Sequence, residues 1–160
     1  MLIRDYAPED AFAVSRLRWR AVRVLAPTAY GPAQVAAWLP EPDSVAATRA
    51  CCEDGRSTWL AMVDGKVAGV TDLKADGHVD TLYVDPDHAR RGVGSALLRH
   101  VQVVASLRGL NGLYTEASEI ARPVFVRAGY SVDARRDLVL RGVQMHNYAM
   151  SRTLSPLTPL

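Results

Sequence analysis

The chain has 160 residues, of which 49% are hydrophobic and 22% charged, and its formal net charge is +2. This composition is typical of one globular domain and excludes an intrinsically disordered chain. A charge this small, with the arginines scattered along the chain, argues against nucleic acid as a partner. Cys51 and Cys52 are neighbours, and a disulfide between neighbours is strained, so we expect reduced thiols and a cytoplasmic protein.

The N-terminal third is predicted to be mainly helical. Residues 2–6 alternate like a short strand, and Pro8 then opens a helix that reaches about residue 24. Proline-rich turns separate two further helices, over 32–39 and 44–53. Helical spacing predicts that the first helix buries a face made of Phe12, Val14, Leu17, Ala21, Val24 and Leu25.

A β-meander is predicted for the middle of the chain. Strands over 58–63, 66–73 and 78–84 are separated by Asp64-Gly65 and Asp76-Gly77, which are typical hairpin turns. By the period of two, His78, Asp80, Leu82 and Val84 share one face of the third strand. That strand is followed by a second helix-forming region.

The C-terminal half alternates helices and strands. After a helix that begins near residue 93, we predict a strand over 110–116 and a short helix over 120–128. Two closing strands follow, over 130–135 and 144–151. The order predicts an α/β (α+β) domain over residues 1–152, with a mixed, mostly antiparallel central sheet and helices on both faces. The proline-rich residues 153–160 are expected to be a flexible tail.

One short loop carries the main chemical signal. Arg90-Arg91-Gly92-Val93-Gly94-Ser95 lies between the third meander strand and an amphipathic helix. The first amides of a helix have no partner within it, and the helix dipole adds positive charge there. The two glycines let another group approach the backbone, and the arginines add full charges. The loop therefore predicts a pyrophosphate-binding site.

A purely structural role, or a phosphate motif of another class, fits this loop less well. The glycines alone would also permit a tight strand-to-helix turn, but the adjacent arginines favour an anion site. The chain has no GxxxxGK[ST] sequence, which excludes a Walker A loop, and no third glycine near Leu97, which argues against a dinucleotide fingerprint.

The loop resembles the acetyl-CoA-binding motif of the GNAT N-acetyltransferase family, Q/R-x-x-G-x-G/A after a strand such as Leu82-Tyr83-Val84. The Q/R position falls on Ala89. The element order is that of the GNAT fold, and residues 116–130 are similar to the family pattern N-x-x-A-x-x-x-Y-x-x-x-G-F/Y. The chain is also similar to a narrower group within the family, the YafP-like bacterial subgroup. This similarity lies in residues 141–143 and 147–150, and at Tyr30, Gln34 and Trp38.

The resemblance implies acetyl-CoA as co-substrate. The backbone of the strand before the loop would bind the pantetheine arm, and a backbone N–H there would stabilise the developing oxyanion. Ser118 takes the place of the family's Asn, and Arg122 would either reach a phosphate of the cofactor or remain solvated. The implied cofactor-binding residues are Leu82, Tyr83, Val84, Arg90, Arg91, Gly92, Val93, Gly94, Ser95, Ser118 and Arg122.

Transfer to an amine also needs a base and an acid. His78 falls where many family members carry a catalytic Glu, and an imidazole titrates near neutral pH. Asp80 and Glu116 are the other candidate bases, and a water chain is the alternative to all three. The family's acid is a tyrosine, but that position aligns with Phe125, so Tyr148 is the candidate acid, with Tyr83, Tyr130 or solvent as alternatives.

The acceptor pocket is expected between the early helices and the closing strands. Tyr30, Gln34, Trp38 and Tyr148 are its candidate lining, although core packing would also account for Tyr30 and Trp38. We predict an acetyl-CoA-dependent N-acetyltransferase that acts on a small-molecule or protein amine. Because of Phe125, the alternative is a non-catalytic acyl-CoA-binding or sensing module, and a regulatory partner role is weaker still.

The remaining expectations concern partners. The two cysteines have no metal-ligand spacing around them, and no metal site is expected. No apolar run reaches membrane-spanning length, and the acidic N-terminus does not resemble a signal peptide, so no membrane association is expected. An exposed edge in the closing strands would permit a homodimer.

Overall fold

The computed structural model describes residues 1–156. Within them the helices are Ala11–Leu25 (α1), Pro32–Trp38 (α2), Val45–Cys52 (α3), Val93–Leu107 (α4) and Arg122–Arg127 (α5). The strands are Leu2–Asp5 (β1), Ser57–Val63 (β2), Lys66–Leu73 (β3), Leu82–Val84 (β4), Gly112–Ala117 (β5), Ser131–Leu140 (β6) and Val143–Thr153 (β7). No helix of this part of the chain combines the length and hydropathy needed to cross a membrane.

The strands form two antiparallel sheets, β1-β2-β3-β4 and β5-β7-β6. A single parallel bridge between His78 and Tyr114 joins them. Helix α1 packs on one face, where Leu60 and Val70 lie. Helix α4 packs on the opposite face, where Ala61 is buried and Gly69 lies beneath Val93. The predicted α/β fold, with a largely antiparallel sheet and helices on both faces, is confirmed.

Helix α1 buries a narrower stripe than predicted. Val14, Leu17 and Ala21 are buried as expected. Phe12 and Val24, however, are 65% and 55% exposed, and their assignment to the inner face was wrong. Successive residues of a helix are about 100° apart, so Phe12 points away from the buried residue that precedes it. Val24 is about 200° from the buried residues two positions before and two positions after it, and it therefore lies on the opposite side of the helix. The hydrophobic residues of the sequence thus cover a wider face of the helix than the face that is buried by packing.

The third meander strand is shorter than predicted. Only Leu82–Val84 pair with β3, so His78 and Asp80 do not extend the same strand, and the prediction of a continuous strand over 78–84 was wrong. The side chain of Asp72 accepts the backbone N–H groups of Asp80 and Thr81 at 2.8 and 3.0 Å. A side-chain acceptor thus replaces the next rung of the β3–β4 ladder.

The closing hairpin is longer than predicted. Strands β6 and β7 pair from Ser131 opposite Ser151 to Leu140 opposite Val143, and Arg141 and Gly142 turn the chain with φ of 47° and 76°. Thr153 is the last residue of β7, and Leu154 is buried in the core, so packed structure continues past the predicted domain boundary. Residues 157–160 of the predicted tail lie outside the described residues.

Candidate functional site

The two sheets separate beyond the bridge at His78. Val79 donates to the Tyr114 carbonyl at 2.9 Å, and Tyr114 donates to the Gly77 carbonyl at 3.1 Å. Further along, β4 pairs with β3 and β5 pairs with β7, and among residues 1–156 the two strands share no ladder. The result is a gap between β4 and β5 that is closed at one end and open at the other.

Strand β4 turns its free backbone groups to this gap. Asp85 donates to the Ala68 carbonyl at 2.9 Å, which places that amide on the β3 side. Because backbone groups alternate between the two sides of a strand, Tyr83 also bonds β3. The N–H and C=O groups of Leu82 and Val84 therefore point into the gap, toward β5.

The open end of the gap adjoins the first turn of α4. Gly92 is the N-cap, with φ of +80°, and a β-carbon there would meet nothing within 4 Å. Ala96 donates to the Gly92 carbonyl at 3.0 Å, so the amides of residues 93–95 precede the first intrahelical bond. The loop thus presents free N–H groups and a left-handed glycine on an open surface.

Close packing explains Gly94. A β-carbon on Gly94 would lie 3.2 Å from Cγ1 of Val124 in α5. The close approach predicted at this glycine is therefore made by a neighbouring helix. Gly69 in β3 has a similar role that the sequence pattern did not reveal, because a β-carbon there would lie 2.8 Å from Cγ1 of Val93. Gly69 thus lets the first turn of α4 approach the sheet, and Gly94 lets α5 approach that turn.

A cavity of about 660 Å³ joins the gap to the helix N-terminus. It continues to the inner side of α1 and to Trp38. Of the residues that the resemblance implied for the cofactor, the structure brings nine to this cavity: Leu82, Tyr83, Val84, Arg90, Gly92, Val93, Gly94, Ser95 and Ser118.

The arginines that line the cavity are not the same as those predicted to bind the cofactor. Arg90 lines the cavity, but Arg91 and Arg122 do not. Arg122 donates to Glu119 at 2.7 Å and lies 4.6 Å over the ring of Tyr148, so it has partners other than a phosphate. Arg127 also lines the cavity. Its position near the end of α5 gave no signal in the sequence.

The three candidate bases lie in different surroundings. Asp80 lines the cavity and accepts from Arg56 and Lys74 at 3.0 and 3.2 Å. Burial opposes the effect, but these hydrogen bonds hold the pKa of Asp80 below its ordinary value. Glu116 lines the cavity too, and its Oε2 lies 2.5 Å from Nε2 of His78.

His78 itself sits beside the cavity. Its ring stacks on Tyr114 with centroids 4.6 Å apart, and Tyr114 in turn donates to Asp76. Arg136 approaches the other oxygen of Glu116 only to 3.8 Å. The structure therefore joins His78 and Glu116 in one pair and ties Asp80 to two cations.

The candidate acids Tyr83, Tyr130 and Tyr148 lie in different surroundings. Phe125 is 2% exposed and lines the cavity. Tyr148 donates to Glu119 at 2.8 Å, and this hydrogen bond raises the pKa of Tyr148. Tyr130 is buried edge-on against Phe125, and burial raises its pKa. Tyr83 lines the cavity, with the guanidinium of Arg18 5.4 Å from its ring centre.

Not all residues predicted to line the acceptor pocket lie on the cavity wall. Trp38 lines the cavity and meets Tyr30 edge-on, with ring centroids 5.5 Å apart. Gln34 accepts from the Gly31 amide and donates to the Gln144 carbonyl, both at 2.9 Å, so its side chain ties α2 to β7. Tyr30 is 4% exposed and is not among the residues that line the cavity.

Glu119 is a second residue of the site that the sequence did not single out. It lines the cavity, and its carboxylate accepts from His146 and Tyr148, each at 2.8 Å. The hydrogen bond from His146 lowers the pKa of Glu119. The Glu119 amide donates to the Tyr30 hydroxyl at 2.8 Å, which in turn donates to the His146 carbonyl at 3.0 Å. This network fixes the loop between β5 and α5.

With this geometry in place, comparison with known proteins identifies the family. A family model described as an acetyltransferase (GNAT) domain matches residues 27–152. The chain belongs to the GNAT acetyltransferase family. It is an acetyltransferase, and the resemblance given by residues 82–95 and 116–130 is confirmed.

Individual relatives agree with this assignment. The chain is 29% identical over 148 residues to the uncharacterized N-acetyltransferase YafP of Escherichia coli K12, covering 92% of this chain and 93% of that protein. It is similar to a GCN5-related N-acetyltransferase from Rhodopseudomonas palustris, with a TM-score of 0.88 and 31% identity over 96% of this chain and 95% of that one. The acetyltransferase yncA of Salmonella typhimurium, solved with acetyl-CoA, shares the fold at a TM-score of 0.73 and 20% identity, over 100% of this chain and 97% of that one.

Proposed function

We propose that this GNAT protein transfers an acetyl group from acetyl-CoA to an amine of a small molecule or a protein. One observation carries the proposal: the unpaired edge of β4 and the free amides of α4 open into the same cavity. An extended, amide-containing arm that ends in a pyrophosphate fits both features, and the acetyl-CoA complex of yncA from Salmonella typhimurium supports the choice of donor.

The donor would be held mainly by backbone groups. The amides of residues 93–95 and the dipole of α4 favour an anion at the helix N-terminus. Arg90 and Arg127 add positive charge on the cavity wall. The free N–H and C=O groups of Leu82 and Val84 would pair with the pantetheine amides as an added strand does. One of these N–H groups would also stabilise negative charge on the thioester carbonyl during transfer.

The pair of Glu116 and His78 is the best-placed proton acceptor. An ammonium group must lose a proton before its nitrogen can attack, and a carboxylate on the cavity wall can receive it. Glu116 is such a carboxylate, and His78 contacts it at 2.5 Å. Asp80 is less suited because Arg56 and Lys74 already stabilise its charge.

The departing thiolate would take its proton from solvent. Phe125 cannot donate a proton, and the hydroxyl of Tyr148 is engaged by Glu119. A thiol has an ordinary pKa of about 8.5, so a thiolate is a tolerable leaving group near neutral pH. Transfer therefore does not require a tyrosine at the Phe125 position.

The acceptor side of the cavity favours a cationic amine with an apolar part. Leu25, Ala26 and Trp38 supply an apolar wall. Asp80, Glu116 and Glu119 supply carboxylates on the same cavity. Opposite charge raises the local concentration of a cationic acceptor, and an aromatic face attracts its ammonium group.

The test is release of CoA from acetyl-CoA, followed with a thiol reagent across a panel of primary amines. We expect steady turnover with at least one apolar amine, and a fall in kcat of about 100-fold or more for Glu116→Gln. Asp80→Asn is the matched control, since it also removes a carboxylate from the cavity wall, and we expect a smaller loss. Absence of turnover with every amine would contradict the proposed transfer. Equal losses in the two variants would contradict the assignment of Glu116 as the proton acceptor.

A further inference from the structure

A buried ion pair lies behind the break that precedes β4. Asp72 in β3 has a side chain only 2% exposed, and its Oδ2 accepts from Nη1 of Arg56 at 2.7 Å. The Arg56 side chain is 6% exposed and also donates to Asp54, at 2.7 Å, and to Asp80, at 3.0 Å. Neither Arg56 nor Asp72 lines the acetyl-transfer cavity.

The other oxygen of Asp72 holds the chain where it changes partners. Residues 77–79 bond β5, whereas residues 82–84 bond β3. Between them, Oδ1 of Asp72 accepts both the Asp80 and Thr81 amides, at 2.8 and 3.0 Å. The hydroxyl of the neighbouring Thr71 donates to the Thr81 carbonyl at 2.9 Å. We call residues 80 and 81, where the chain passes from β5 to β3, the crossing. Their N–H groups and the Thr81 carbonyl are in neither strand ladder and bond to side chains instead.

These contacts make the crossing depend on charge. A buried carboxylate is stable only if a cation and hydrogen bonds compensate for its lost hydration. Arg56 supplies the cation, and its planar fork can bind several carboxylate oxygens at once. Without that compensation, Asp72 would lose the geometry in which one oxygen caps two successive amides.

We propose that Arg56 and Asp72 are positioning residues for acetyl transfer. They act through the backbone: by fixing residues 80 and 81, they hold the N–H and C=O groups of Leu82 and Val84 toward the gap. They also hold Asp80 at the cavity wall. This inference rests on the proposed function, because it assigns the pair to the part of the site that would bind the pantetheine arm.

Two ligands separate this role from a general effect on folding. Acetyl-CoA would engage both the anion site at the N-terminus of α4 and the β4 edge, whereas adenosine 3′,5′-bisphosphate has no pantetheine and can reach only the anion site. In Asp72→Asn we expect acetyl-CoA to bind about tenfold more weakly and kcat to fall by about tenfold to 100-fold, since small misplacements of reacting groups have effects of this size. Binding of the bisphosphate should change by less than about twofold, which is under 0.5 kcal/mol.

The chain offers a matched control and a milder variant. Asp10 also accepts a backbone amide, from Ala7 at 2.8 Å, and an arginine, Arg4, at 2.7 Å, but it lies far from β4 in the chain and does not line the cavity. Asp10→Asn should leave both affinities unchanged. If Asp72→Asn does not fold, Thr71→Val removes one bond at the same crossing and should weaken acetyl-CoA alone, by a smaller factor.

The outcomes are distinct. Selective weakening of acetyl-CoA in Asp72→Asn or Thr71→Val supports the positioning role. Equal weakening of both ligands, or no change in either, overturns it. If the wild-type protein itself binds no acetyl-CoA, the proposed function fails first, and that result is seen before any variant is compared.

Discussion

The two ends of the cavity are built by different means. At the end proposed to bind the donor (the donor end), contiguous residues 82–95 supply backbone amides and carbonyls, and glycines allow the geometry. At the acceptor end, α1, Trp38 and the loop after β5 come together from distant parts of the chain and present side chains. Side-chain changes in the cavity wall should therefore alter acceptor choice readily, whereas the donor end should respond mainly to changes at its glycines and at the residues proposed to position its backbone.

Among the changes that compare the two ends, the largest effect is expected at Gly94. Leucine there would collide with Val124, since even a β-carbon would lie 3.2 Å from its Cγ1. Displacing the first turn of α4 should weaken acetyl-CoA binding by about fivefold to 150-fold, which corresponds to the roughly 1–3 kcal/mol typical of overpacking. Titration calorimetry measures this directly. Unchanged affinity in a folded Gly94→Leu protein would exclude the helix N-terminus as the anion site.

Gly92 gives a more selective comparison. Gly92 and Gly109 lie at the two ends of α4, with φ of +80° and +73°, and a β-carbon at either would meet nothing within 4 Å. Alanine at each should lower stability similarly, by about 1 kcal/mol. Only Gly92→Ala should weaken acetyl-CoA, by several-fold, because its methyl group would enter the open anion site. Parallel affinities in the two variants would assign Gly92 to the turn alone.

Trp38 tests the acceptor end. Replacement by alanine removes most of an aromatic wall, and we expect the KM for an apolar amine to rise about tenfold, in keeping with the ~1–2 kcal/mol of such contacts. The affinity for acetyl-CoA should stay within about twofold. Steady-state kinetics with each substrate varied in turn distinguishes the two. A rise confined to acetyl-CoA would reverse the assignment of the two ends.

The smallest expected effect concerns Glu119 and pH. Its folded-state pKa lies below the ordinary 4.5 because His146 hydrogen-bonds the carboxylate. The charged form thus favours the folded state above that ordinary pKa, and the contribution is lost as pH falls through the lowered value. The Tm difference between wild type and Glu119→Gln should shrink below about pH 4. A difference that stays constant between about pH 6 and about pH 3 would contradict this.

The same contrast between the two ends determines what the sequence could predict. The donor loop was predictable because its strand, glycines and helix are adjacent in the chain. The extent of β4 was not, because Asp72 on another strand takes the amides of Asp80 and Thr81. Glu119 was missed for a similar reason. Its partners are Tyr30, His146 and Tyr148, and only the tertiary structure brings them together.

The measurement that tests the donor site most directly is amide hydrogen exchange by NMR, with and without acetyl-CoA. The Leu82 and Val84 amides face the gap, and Tyr83, which bonds β3, is an internal control between them. We expect acetyl-CoA to slow exchange at Leu82 and Val84 strongly and at Tyr83 little. Protection of the α4 amides without any change at Leu82 and Val84 would mean that the gap between β4 and β5 does not bind the donor.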